Sequence, residues 1–235
     1  MTRINICGIL LSFTFLLSCA PAKFYIDPSL NHEPSNSILV VTKVNEIDLS
    51  QDYELFNEEN LRKLRTSYHE LHLGKLPFNL QKVSNFKNVT MVPYKTSPQF
   101  ETKTFVINSE ESIELLVPKS ALDYDLEGIL YTLFFQDYKI AFELEETDTS
   151  DPAKYFSAEK LPGLDPQLSP RKLYRLNFTI RTKYFVYDNN NTKVVLAGNA
   201  VIKERYSPEM NLENKMMEGL NSLAKRIVYK TPFEK

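Results

Sequence analysis

The residues best suited to chemistry lie at Tyr68-His69-Glu70-Leu71-His72, where two imidazoles three positions apart can share one helix face. Imidazole is a common zinc ligand and the ordinary acid-base group near neutral pH, so a metal site or a proton-transfer site is conceivable there. The spacing is not the one in which two histidines lie four apart with glutamate as the base. The third histidine, His32, stands far upstream, and Arg62, Arg65, His69 and His72 together form a basic stripe, the pattern of a solvated helix flank. A second group is carboxylate: Asp123, Asp125 and Glu127, then Glu143, Glu145, Glu146, Asp148 and Asp151. These supply acid-base pairs or oxygen ligands in principle. They lack the turn glycine and ligand spacing of a calcium loop, and polar loop carboxylates ordinarily serve solvation. No G-x-S-x-G and no phosphate loop occurs among only 6 glycines. The expectation is no catalytic residue, no metal ligand and no cofactor.

The cysteines point elsewhere. Arg3 is followed by an apolar run from Ile4 to Leu17, then by Leu16-Leu17-Ser18-Cys19 and Ala20-Pro21-Ala22-Lys23. That layout is an export signal: a positive start, an apolar stretch shorter than the about twenty residues that span a bilayer, and a small-residue cleavage region. Leu16-Leu17-Ser18-Cys19 resembles the lipobox of bacterial lipoproteins. The resemblance implies cleavage of the Ser18-Cys19 bond, a diacylglyceryl thioether on Cys19 and a further acyl chain of palmitate type on the new amine. Two or three chains satisfy the requirement that a stable anchor use more than one. Ala20, rather than aspartate, resembles the outer-membrane sorting pattern of proteobacteria. Cys7 falls in the discarded segment and Cys19 is taken by the lipid, so no thiol remains for a disulfide, a nucleophile or a metal. Of 28 basic residues only Arg3 is lost with residues 1–18, which leaves 27 against 30 acidic ones and gives no electrostatic case for nucleic acid.

The organisation that must position these groups is a signal peptide over 1–18, a lipidated tether over 19–37 and a single domain over 38–235. Prolines at 21, 28 and 34 without apolar period mark the tether. Ile38 to Val44 is a β-branched run and reads as a buried strand. A helix follows, N-capped by Asn57, with Leu61, Leu64, Tyr68 and Leu71 as its stripe and Gly74 as the glycine that ends it. Val89 to Val92 gives a second strand and Phe105-Val106-Ile107 an edge strand. Gly128 to Leu133 and Ile140 to Leu144 form a bent strand or hairpin, and the proline-punctuated Glu145 to Pro170 a long surface loop, a candidate for function. Tyr174, Leu176, Phe178, Ile180, Tyr184 and Val186 alternate with Arg175, Asn177, Thr179, Arg181 and Lys183, a half-exposed antiparallel strand whose partner is Val194 to Ile202. Met216, Met217, Leu220, Leu223, Ala224, Ile227 and Val228 recur at helical spacing after Ser207, Pro208 and Glu209. The sum is an α+β class, a two-layer sandwich with a mixed or mainly antiparallel sheet and two amphipathic helices on one face.

The order of strand, Asp188-Asn189 turn, strand and helix over Tyr174 to Tyr229 resembles two groups of accessory envelope lipoproteins, those like the N-terminal domain of TolB and those that assist lipopolysaccharide assembly beside an outer-membrane barrel. The resemblance implies a lipid-anchored, non-catalytic binding or assembly module, facing the periplasm from the outer membrane, that meets an envelope protein, glycan or lipid and no nucleic acid. Arg175, Arg181 and Lys183 are the expected binding face. An envelope hydrolase using the loop carboxylates and a lipid carrier are the rival readings.

Overall fold

The computed structural model describes residues 24–30, 37–42, 48–51, 55–93, 99–120, 122, 129–147, 156–157, 173–207 and 209–235. The β-branched run of the sequence forms β2 (Ser37–Thr42), and a helix, α1 (Glu58–Val83), carries the chain over to β4 (Asn88–Pro93). β2 and β4 pair in parallel with Ile38 beside Val89 and Val40 beside Met91, so the strand-helix-strand unit expected from the sequence is present. The other long strands are β7 (Tyr131–Thr147), β9 (Leu173–Asp188) and β10 (Lys193–Arg205). With β1 (Phe24–Ile26) they give the sheet order β1-β10-β9-β7-β2-β4, mixed and mostly antiparallel. β3 (Asp48–Gln51) pairs in parallel with β7 beyond the end of β2, and β8 (Phe156–Ser157) adds to β9. A separate hairpin is made of β5 (Phe100–Asn108) and β6 (Glu111–Pro118). α2 (Leu212–Val228) closes the chain.

Four expectations need correction. The tether does not run free to residue 37: Phe24, Tyr25 and Ile26 pair with Gly198, Ala197 and Leu196 of β10, the Asp27 amide donates to the Val195 carbonyl, and Asp27 meets Lys193 at 3.1 Å. A three-residue strand shows no period, yet its neighbour β10 supplies the missing pairing. Gly74 does not end α1. The helix runs nine residues further, past Pro77, because Leu76 and Leu80 are buried and hold the last turns to the core; Leu73, whose carbonyl would take the bond Pro77 cannot give, lies on the exposed side. Glu209 does not lie in the first turn of α2, which starts at Leu212 with Asn211 as its cap, the Asn211 side chain accepting from the Asn214 amide. Finally, Phe105-Val106-Ile107 is a strand, but it belongs to the separate β5–β6 hairpin and not to the edge of the main sheet.

The bent strand is one continuous element. Between Gln136 and Lys139 the β7 register gains a residue against β9, and Asp137 takes φ 50. That bulge switches the alternation, so Leu133 and Phe135 before it and Tyr138, Ile140 and Phe142 after it reach the same apolar cluster. Both helices pack on this face: Tyr68, Leu76 and Leu80 of α1 and Met216, Leu220, Leu223, Ala224, Ile227 and Val228 of α2 join Ile38, Val40, Phe178 and Ile180. Gly219 lets α2 lie close, since an added Cβ would stand 3.0 Å from Ile180 and 3.1 Å from Phe178. On the opposite face the hairpin covers one end of the sheet through Ile113, Leu115 and Val117 against Phe134, Phe185 and Tyr187. The other end carries the polar positions of β7, β9 and β10.

Candidate functional site

The polar end of the sheet is where the expected binding face lies, and its cations are engaged. Glu143 on β7 accepts from Arg181 through Nε at 3.0 Å and Nη2 at 2.7 Å, and from the Thr179 hydroxyl at 3.1 Å. This fork-shaped, charge-assisted contact holds the guanidinium flat against the sheet. Glu145 accepts from Asn177 at 3.0 Å and pairs with Lys203 of β10 at 3.3 Å, while Lys183 meets Asp137 of the bulge at 2.7 Å. Arg175 stands opposite Glu145 in the register. The sequence separates these partners by 30 to 58 positions, so an alternating strand shows the cations and hides the anions that the register sets against them. On this face Arg181, Lys183 and Lys203 each meet a carboxylate of β7, so its cations are held in cross-strand pairs.

The histidine motif divides. Arg62 and Arg65 are exposed and His69 is partly covered, but His72 is fully enclosed, with 0% exposure. The basic stripe is therefore corrected at its last member: α1 faces the core along Tyr68, His72, Leu76 and Leu80, spaced by four. His72 Nδ1 lies 3.3 Å from the Tyr138 hydroxyl, which lies 2.7 Å from the Tyr68 hydroxyl, so three polar groups form a chain within the apolar face. Phe135 and Tyr138 present their edges to the imidazole at centroid distances of 5.8 and 5.0 Å. His72 Nε2 has no partner among the described residues. Burial pushes the His72 pKa down to about 3, so the ring is neutral throughout the physiological range. Burial likewise holds both tyrosine hydroxyls protonated, well above their usual range. His69 is lowered by partial burial. At 0% exposure the imidazole presents no surface to a substrate in this fold. Among the described residues no group of three His, Cys, Asp or Glu is placed to hold a metal. Tyr138, the link of the chain, was not singled out in the sequence; only the β7 bulge turns it inward.

A third place combines concavity with charge. Between the end of α2, the outer edge of β10 and the C-terminal turn of α1 runs a groove of about 780 Å³. Its apolar lining includes Val83, Val201, Ile202 and Val228, and Val201 is 47% and Tyr229 42% exposed. Lys82, Lys225, Arg226, Lys230 and Lys235 surround it against one carboxylate, Glu234, which accepts from the Lys230 amide. The Lys230 ammonium lies 5.2 Å from the Tyr229 ring centre. The sequence marks Lys225 and Arg226 only as fitting the last turn of a helix; Lys82 arrives from 143 positions upstream. β1 covers β10 only as far as Gly198, so beyond it the β10 edge borders this groove.

Several expected residues lie outside the described ones: Ser18, Cys19 and the signal segment, His32, Asp123, Asp125, Glu127, Asp148, Asp151 and most of Glu145 to Pro170. Among the described residues no helix is long and apolar enough to cross a membrane.

No family model and no curated protein matches the sequence. Solved structures to which it is similar include the PelC dodecamer of Paraburkholderia phytofirmans, at 9% identity over 91% of this chain and 98% of that chain with a TM-score of 0.35. A neuraminyllactose-binding hemagglutinin homolog from Helicobacter pylori aligns at 11% identity over 87% and 85% of the two chains, TM-score 0.27. A Xanthomonas campestris protein of the DUF330 family aligns at 8% identity over 87% of each, TM-score 0.27. At such identities and scores these likenesses carry no functional information.

Proposed function

We propose that the chain is an envelope lipoprotein, anchored through Cys19 and facing the periplasm from the outer membrane, whose α+β body of two packed layers acts by binding and not by catalysis. The lipobox and the absence of any cysteine after it support the anchor. The groove beside α2 and the β10 edge carries the binding half of the reading, because a concave apolar lining with a charged rim is what a recognition site is made of. Among the described residues, Glu143 is engaged with Arg181 and Thr179, Glu145 with Asn177 and Lys203, and His72 with the buried tyrosines; Asp123, Asp125 and Glu127 lie outside the described residues. With Arg181 and Lys183 held in pairs, the groove replaces them as the surface of first interest.

The intact mass of the chain isolated from envelope membranes tests the anchor. The expected result is cleavage before Cys19 and added acyl mass, with Cys19→Ala abolishing both and releasing the chain from the membrane fraction. An unmodified Cys19 in membrane-derived protein refutes the anchor. For the binding role, recovery of a tagged chain from membranes is expected to enrich an envelope component, and substitutions in the groove are expected to lose it while Arg181→Gln keeps it. Equal loss from both surfaces, or enrichment of nothing, refutes that assignment.

A further inference from the structure

We infer that the basic groove between α2 and the β10 edge is a membrane-facing surface that takes anionic phospholipid headgroups of the leaflet holding the chain; this rests on the anchor at Cys19. The first observation is direction. β1 is antiparallel to β10, with Ile26 beside Leu196 and Phe24 beside Gly198. Followed backwards from Phe24, β1 therefore points towards Val201 and Ile202, which line the groove only three and four positions beyond Gly198, about 10 to 13 Å at strand rise. Phe24, the first described residue, thus sits at the end of β1 nearer the groove.

The second observation is reach. Cys19 precedes Phe24 by five positions, which allows at most about 17 Å of chain. A body attached by so short a link rests against the bilayer surface, and the side it can present is the one from which the link emerges. The third is composition. Lys82, Lys225, Lys230 and Lys235 are all exposed around this groove, with Arg226 beside them and one carboxylate among them. The whole chain carries net charge -2, so this excess of cations is local and not a property of the surface at large. Exposed Tyr229 and Val201 add the amphipathic and apolar contacts that suit the headgroup boundary, while lysine stems cover apolar surface and keep their ammonium groups at phosphate level. Anionic phosphate is the chemistry that such a rim matches, and a bilayer is the source that the short link brings within range.

The test uses the chain beginning at Ala20, which keeps every described element because the first begins at Phe24. It is sedimented with phosphatidylcholine vesicles, with and without a one-third share of phosphatidylglycerol, at low and high salt. Binding to the anionic vesicles only, reversed by salt, is expected. Each lysine near such a surface is worth about fivefold in binding, so Lys82→Gln, Lys225→Gln and Lys230→Gln together are expected to weaken it about a hundredfold. The control removes the same charge elsewhere, at Lys63, Lys103 and Lys183, which are exposed or half-buried and paired with Glu59, Glu101 and Asp137. Equal binding to neutral vesicles, no binding to either, or an equal loss in the control overturns the inference. The intact mass separates the two readings: an unmodified Cys19 overturns the anchor and the membrane placement with it, whereas lipidation of Cys19 in the full chain without any vesicle preference of the chain beginning at Ala20 overturns the groove's role alone.

Discussion

The two helices lie on the same face of the sheet and bury very different things. α2 sets Met216, Gly219, Leu220, Leu223, Ala224, Ile227 and Val228 into the core, an unbroken apolar stripe. α1 is nine residues longer yet buries only Tyr68, His72, Leu76 and Leu80, two of them polar, with Leu61, Leu64 and Leu71 packed at the margin. A stripe that is uniformly apolar fixes a helix by area, whereas a stripe that includes an imidazole and a phenol fixes it by matching a partner on β7. The first kind of helix carries stability; the second carries a polar chain at a cost.

The largest test of that contrast is truncation. Leu220→Ala opens a cavity at a fully buried position of the cluster that holds Phe178 and Ile180, and is expected to cost about 2 to 5 kcal/mol in urea unfolding. The same change at Leu64, only partly buried on α1, is expected to cost about 1 kcal/mol or less. Similar losses at the two positions would mean that the helices share the load.

Acid should separate the helices next. His72 is neutral in the fold down to about pH 3, whereas an unfolded histidine takes its proton near pH 6.5. Between those values the unfolded chain binds a proton that the native one refuses, so stability falls as pH falls, by up to about 1.4 kcal/mol per pH unit for this residue. Below the folded value the loss levels off. His72→Leu removes the proton site and the unpartnered Nε2 while Tyr138 keeps its bond to Tyr68. It is expected to flatten the stability profile between pH 6 and pH 4 relative to the native chain, in chemical denaturation at matched ionic strength. Identical slopes would show that α1 opens to admit the proton without cost. His69, lowered by partial burial, contributes to the slope that remains.

What the sequence makes legible follows the same division. The apolar period of α2 announces itself because it buries one uniform face, and the runs of β2, β9 and β10 because they bury apolar residues on both faces of the sheet. His72 could not be recognised as core, since its burial depends on a bulge at Asp137 that turns Tyr138 inward from a strand 66 positions away. The pairing of Glu143 with Arg181 was hidden likewise, being a matter of register. β1 is too short to have a period. The β6 strand did leave a signal, Ile113, Leu115 and Val117 in alternation with exposed Glu114 and Leu116, and went unread beside a less regular neighbour. The groove was illegible because its cations come from both helices and the final turn.

Glycine gives a finer comparison. At Gly219 an added methyl meets Ile180 and Phe178 at 3.0 to 3.1 Å, so Gly219→Ala is expected to trade better helix propensity for strain and to lower the melting temperature, by about 1 to 3 kcal/mol in stability. A neutral result would mean that α2 can lift from β9 at little expense.

Gly74 is the opposite case and the smallest effect. It lies mid-helix and exposed, with nothing within 4 Å of where a Cβ would stand. The reading of Gly74 as a helix terminator would require left-handed backbone, in which alanine is strained and Gly74→Ala destabilises. A continuous helix requires the reverse: alanine loses less backbone freedom on folding and meets no neighbour, so the variant gains about 0.5 to 1 kcal/mol. The sign alone decides, and a urea midpoint is enough to read it. A gain places the last turn of α1, with Lys82 at the groove rim, on a helix that propagates through Gly74 and Pro77. A loss would break α1 at Gly74 and detach that lysine from the rigid frame on which the groove depends.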